Sequence, residues 1–198
     1  MKTVMYYITV AILFVLNKLP MPFMHFLSTL LYYPIYHIAR YRRKVVRDNL
    51  VKSFPEKSLD EIKRIEKKFY RSLCDYCMEM IKYYGMSEEK VKEYMKIEGL
   101  EHFQAALDRG QSCALYMGHF FNWEYVTSIT LHFKRDDTVV GAIYHPLENG
   151  RFDALVKKMR EQYGTESISM ANTLRRIMEI GKNNKKYVIG FIADQVPT

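Results

Sequence analysis

His119 and Glu124 lie five residues apart in the string Gly118-His119-Phe120-Phe121-Asn122-Trp123-Glu124. A neutral imidazole can take a proton from a hydroxyl as that oxygen attacks a carbonyl carbon. A carboxylate behind the ring fixes its tautomer and stabilises the imidazolium that forms. On one continuous helix a five-residue offset separates two side chains by about 140°. The pair therefore converges only across a strand–loop–helix corner, and Gly118 would permit the tight exit from the strand. No G-x-S-x-G nucleophile is present, so direct attack by the acceptor hydroxyl fits better than an acyl-enzyme. The bare spacing is weak, since a turn histidine beside a carboxylate at a helix N-terminus produces the same pattern.

That corner requires particular elements around it. Ser112 to Met117 is a short apolar run ending at Gly118, read as a buried strand. Asn122 is suited to N-cap a helix over roughly Trp123 to His132, its side-chain oxygen accepting from a free backbone N–H. Strands over Thr138–Tyr144, Ser167–Met170 and Tyr187–Ala193 alternate with helices over Arg151–Gln162 and Asn172–Ile180. This alternation predicts an α/β fold with a largely parallel sheet. Upstream, Ser58 and Glu61 form a capping-box pattern. Ile62, Ile65, Phe69, Leu73, Cys77, Met80 and Ile81 then recur at helical spacing up to Gly85. A further helix is expected over Glu101–Asp108.

The N-terminal part is different. Val4 to Leu16 is almost wholly apolar but shorter than the ~20 residues a bilayer span needs. After Asn17-Lys18 a second apolar stretch runs to Ala39, interrupted by Pro20, Pro22 and Pro34. No small-x-small cleavage site follows, and Arg40-Tyr41-Arg42-Arg43-Lys44 comes directly after. Such a cluster marks a cytoplasmic flank and attracts anionic headgroups. The expectation is a membrane-anchoring segment over 1–39, either spanning or lying in the interface, followed by a second domain over 40–198.

The 198 residues are 48% hydrophobic and 26% charged, which excludes a disordered chain. A net charge of +8 fits nucleic acid, an anionic membrane or an acidic partner. No zinc-finger spacing, RNP-like motif or long basic tract supports nucleic acid. Three cysteines without a secretory pattern indicate a reducing compartment. Cys74 and Cys77 are read as two small helical residues one turn apart. His25, His37, His102, His119, His132 and His145 have no metal-ligand spacing, so neither a metal nor a cofactor is expected.

Five ordered blocks carry a resemblance. Gly118 to Glu124 resembles the G-H-x-G-N-W-E block of the bacterial lipid A biosynthesis (lauroyl/myristoyl) acyltransferases. Arg47-Asp48-Asn49-Leu50 with Ser53-Phe54-Pro55 resembles their R-x-N-L…F-P element, and Ile97 to Glu101 their G-x-E block. Tyr144 to Asn149 with Arg160 to Gly164 resembles Y-R-P-L-x-N…R-x-x-x-G, and Asp194-Gln195 resembles A-D-Q. Phe121 stands where the family usually has Gly, and His145 where it usually has Arg. The family also continues well past A-D-Q, so the C-terminal part is expected to be missing.

The resemblance implies the αβα sandwich of the glycerol-3-phosphate acyltransferases behind an N-terminal hydrophobic anchor. It also implies transfer of a fatty acyl chain from an acyl carrier protein thioester to a hydroxyl of a lipid A precursor. The setting would be the bacterial inner membrane, with the catalytic domain facing the cytoplasm. His119 would be the general base and Glu124 its orienting carboxylate. Asn122, Arg160 and Asp194 would be substrate-side residues, Arg160 suiting a phosphate or the thioester region. The same chemistry would serve an aminolipid or glycolipid acceptor. A third reading is an inactive membrane-anchored binding protein.

Overall fold

The structure is a computed structural model that describes residues 2–133 and 135–194. The chain divides into two compact units, Met1–Lys82 and Tyr83–Thr198.

The first unit is helical. Helices α1 (Lys2–Lys18) and α2 (Met21–Tyr33) are followed by a π-helix over Pro34–Ala39, then α3 (Arg43–Ser53) and α4 (Leu59–Tyr83). The expected capping box starts α4: the Ser58 N–H donates to Glu61 Oε2 at 3.0 Å, and the Glu61 N–H donates to Ser58 Oγ at 3.4 Å. The unit's core is aromatic. Tyr32, Tyr36, Tyr70 and Cys74 are buried together, with Leu31, Ile35, Val46 and Leu73 against them. Burial pushes the Cys74 thiol up to about 11 and raises that of Cys77. At the edge of this core lies a buried carboxylate, Glu66. It accepts from Tyr36 Oη, Arg43 Nε and both Arg47 Nε and Nη2 at 2.7–2.9 Å. Part of the basic cluster is therefore tied up internally. Among the described residues no helix is long and apolar enough to cross a membrane, so the expected anchor does not take the form of a spanning helix.

The second unit carries the sheet. After α5 (Glu88–Tyr94) and α6 (Leu100–Asp108) come β1 (Cys113–Met117), a 3₁₀ helix (Trp123–Leu131), β2 (Thr138–Tyr144), α7 (Gly150–Glu161), β3 (Glu166–Ser169), α8 (Thr173–Lys182) and β4 (Lys186–Ile192). All pairings are parallel and the strand order is β1-β4-β2-β3. Alternating side chains feed two apolar layers. Leu115, Val140 and Val188 pack with Leu107, Ile129 and Phe133 on one face. On the other, Ile168, Ile189 and Val139 pack with Ile177 and Ile180 of α8. The mixed α/β fold with a parallel sheet is as read from the alternation.

Two local expectations are corrected. The segment after Asn122 is a 3₁₀ helix rather than an α-helix, and the Asn122 side chain makes no capping bond. Seven of its nine residues are buried, among them Glu124, Thr127, Ser128 and Thr130. The Thr127 and Ser128 hydroxyls donate to the carbonyls of Glu124 and Tyr125, three residues back. Such local bonds compete with the α-helical ladder and favour the tighter winding.

Candidate active site

Parallel strands finish at one end of the sheet, and that is where the chemistry gathers. Strands β1 and β4 are neighbours, with Met117 opposite Ile192. The ladder runs one step further, the Ala193 N–H donating to Met117 O at 3.0 Å. Two residues beyond the Met117–Ile192 pair, His119 meets Asp194. The Asp194 carboxylate accepts from the His119 backbone N–H (Oδ2, 2.8 Å) and bonds the ring at Nδ1 (Oδ1, 2.8 Å). These bonds hold the Asp194 carboxyl below its ordinary range, the backbone donor contributing most. A carboxylate at Nδ1 favours the tautomer with its proton there, which leaves the lone pair of Nε2 for a substrate proton. The ring is 41% exposed, so a substrate can reach it.

Gly118 has a different purpose from the one expected. Its φ is not positive. A Cβ at this position would instead sit 3.2 Å from Asp194 Oδ2. Glycine leaves the carboxylate room that a side chain here would crowd. The left-handed residue of the corner is Phe121, at φ 49°, and its side chain and that of Phe120 project into solvent.

Glu124 is not the carboxylate on His119. It is 1% exposed, and both its oxygens accept from Arg160, Nε to Oε2 at 2.8 Å and Nη2 to Oε1 at 2.6 Å. The expected role of Arg160 changes with it, because its fork is occupied by Glu124 rather than presented to a phosphate or thioester. The guanidinium also lies over the Trp123 ring, 5.2 Å from its centroid. Trp123 in turn meets the His119 imidazole edge-on, with ring centroids 5.6 Å apart. Glu124 thus acts at a distance: it fixes Arg160, which backs Trp123, which forms one wall of the histidine. Asn122, half-buried, leads into this wall.

Trp123, which meets the His119 ring, also lines an apolar pocket between the 3₁₀ helix and the sheet. Met117, Trp123 and Ile192 border it near the strand ends, and Leu115, Ala142 and Gly190 line it along the sheet. Among the described residues no group of His, Cys, Asp and Glu could hold a metal ion.

Of the residues singled out in the sequence, His119 and Asp194 form one pair, Glu124 and Arg160 another, and Trp123 joins them. The family model described as Bacterial lipid A biosynthesis acyltransferase matches residues 1–198. The chain belongs to this acyltransferase family. Membership implies an enzyme that takes an acyl donor and a lipid acceptor, which suits a histidine base beside an apolar pocket. A comparison with curated proteins returns no match. The part of Trp123 and the 75-residue pairing of His119 with Asp194 escaped the sequence reading. Only the A-D-Q resemblance drew attention to Asp194, and it said nothing of the partner.

Proposed function

We propose that this acyltransferase moves a fatty acyl chain from an acyl carrier protein thioester to a hydroxyl of a lipid A precursor, at the cytoplasmic face of a bacterial inner membrane. His119 Nε2 removes the acceptor's proton while the oxygen attacks the thioester carbonyl. The tetrahedral intermediate collapses by breaking the C–S bond, and the imidazolium returns its proton to the leaving thiolate. Asp194 keeps Nδ1 protonated and stabilises the imidazolium. Glu124 and Arg160 keep Trp123 against the ring, and the apolar pocket takes the acyl chain. The net charge of +8 suits both an acidic carrier protein and a phosphorylated lipid.

The observation that carries this reading is the Nδ1–carboxylate bond on a half-exposed histidine whose neighbour Trp123 also lines an apolar pocket. The test is transfer by the purified chain from acyl carrier protein and coenzyme A thioesters, to a lipid A precursor and to an aminolipid. Ester formation on the lipid A precursor from the carrier-protein thioester, lost in His119→Ala, is expected. Transfer unchanged in His119→Ala rejects the mechanism. Transfer only from coenzyme A, or only to the aminolipid, rejects the donor or the acceptor.

A further inference from the structure

Three rows of side chains pave the apolar pocket along the sheet. Met117 and Ile192, opposite each other on β1 and β4, form the outer row at the strand ends. Two residues further in, Leu115 stands opposite Gly190 and Gly190 opposite Ala142. Val188 and Val140 form the innermost row, where Ile129 of the 3₁₀ helix packs with them. Alternate residues of a strand are about 6.6 Å apart, so the floor runs roughly 13 Å from the outer row to the inner.

The middle row is the low one. Gly190 contributes no side chain and Ala142 a single methyl, between rows of larger residues. Met117 reaches into that gap. A Cβ built on Gly190 would sit 3.1 Å from Met117 Cε. The methionine therefore turns inward from its own row and lays its terminal methyl over the glycine.

The other walls are either stiff or already engaged. Val140, Val188 and Ile129 are β-branched and restricted at χ1, and Val188 and Ile129 are buried. The Thr127 and Thr165 hydroxyls, which also border the pocket, donate to the carbonyls of Glu124 and Thr127. Methionine differs from all of these. Its unbranched, rotatable side chain fills irregular gaps and moves at little cost.

We infer that Met117 sets the length of the alkyl chain the pocket accepts. Its terminal methyl, seated over Gly190, stops the chain short of the Val140/Val188 row. This rests on the reading above that the pocket holds the acyl chain. Gly190 is the positioning residue, because a side chain there would push the methionine tip back towards the strand ends.

The test offers the purified full chain a graded series of saturated carrier-protein thioesters in competition. Met117→Ala should move the optimum to donors longer by two or more methylenes. At about fourfold per buried methylene, the ratio of long to parental product should rise at least ~10-fold. Met117→Leu, close in volume, should keep the parental optimum. Gly190→Ala should shift it towards shorter donors, and that shift should nearly vanish in the Met117→Ala background.

A second readout needs no catalysis. Fatty acids with a terminal diazirine are photolysed with the protein, and the labelled residues are mapped by mass spectrometry. In the parent the label should fall on Met117 or Leu115, and in Met117→Ala the longer probes should reach Val140 or Val188. An unchanged length profile in Met117→Ala, with transfer and pocket labelling intact, overturns the inference. Labelling outside the pocket overturns it together with the pocket's role, and leaves His119 as the base. Labelling that deepens in Met117→Ala while the parent transfers nothing supports this inference and rejects the catalytic reading instead.

Discussion

The Asp194 carboxylate receives two bonds from one residue, the backbone N–H and the ring Nδ1 of His119, each 2.8 Å long. One bond places the carboxylate and the other orients the ring, so a single side chain fixes both the position and the tautomer of the base. Asp194→Asn should lower kcat by about 10²–10⁴-fold with KM nearly unchanged. Steady-state kinetics check this.

The same pair has a defined pH dependence. Asp194 is held below its ordinary value of 3.8 when folded. What it contributes is therefore fully present above that value and lost as pH falls through the lowered one. The amide proton of His119, followed by NMR, should titrate with a midpoint below 3.8. A midpoint above it would mean that the two bonds are not made in solution.

Glu124→Gln should act through folding rather than through the imidazole. With side chains 2% and 14% exposed, Glu124 and Arg160 form a buried pair, and removal of one charge strands the other. Such losses run to about 3–5 kcal/mol. Denaturant unfolding should show that loss in Glu124→Gln, while Asp194→Asn stays within about 1 kcal/mol of the parent. Equal stability of Glu124→Gln and the parent would return Glu124 to direct catalysis.

Ala142 borders the apolar pocket together with Leu115, Gly190 and Met117. Ala142→Leu adds three heavy atoms to that space. If the pocket holds the acyl chain, the variant should prefer donors shorter by two or more methylenes, each worth about 0.8 kcal/mol of burial. Competition between carrier-protein thioesters of different length reads the preference directly.

Tyr83 gives the second unit an alkaline limit. It is fully buried, bonded to Thr127 Oγ1 at 2.9 Å and packed on the Tyr125 ring at 4.5 Å. Burial pushes its hydroxyl from 10.0 up to about 12. A raised phenol pKa means stability that is complete below pH 10 and lost as pH climbs towards 12, on the order of 2–3 kcal/mol. Denaturant midpoints over that range should fall in the parent and less steeply in Tyr83→Phe.

Much of this architecture is legible from residue order. Strands β1, β2 and β4 are largely apolar runs beside Gly118, Asp137 and Asp194, and α4 announces itself by Ser58, Glu61 and a clean apolar period; β3, Glu-Ser-Ile-Ser, has only Ile168 to mark it. Helix α3 is hard to read because it is short and no residue of it is fully buried: of its apolar residues only Val46 and Leu50, one turn apart, are half-buried. The strand order is silent too. That β4 inserts between β1 and β2 depends on packing across the whole sheet, and it is this insertion that brings Asp194 to His119. Without it, Glu124 is the nearest carboxylate in sequence and the natural choice of partner. Burial reverses the assignment: a carboxylate 1% exposed requires a cation, and α7 supplies Arg160.

Phe121 offers a test of the corner itself. At φ 49° it occupies a region that L-residues enter at a cost of roughly 1–2 kcal/mol. Its side chain is 69% exposed, so little packing offsets that strain. Glycine adopts the conformation freely but orders more chain on folding, which returns about 0.5–1 kcal/mol of the gain. Phe121→Gly should therefore stabilise the protein by roughly 0.5–1 kcal/mol, read as a higher denaturant midpoint at unchanged slope. The corner's hydrogen bonds are backbone and Asp194 bonds, and none involves the Phe121 side chain, so kcat should stay within about twofold of the parent. A destabilised Phe121→Gly would mean that the exposed ring makes a contact worth more than the strain it imposes.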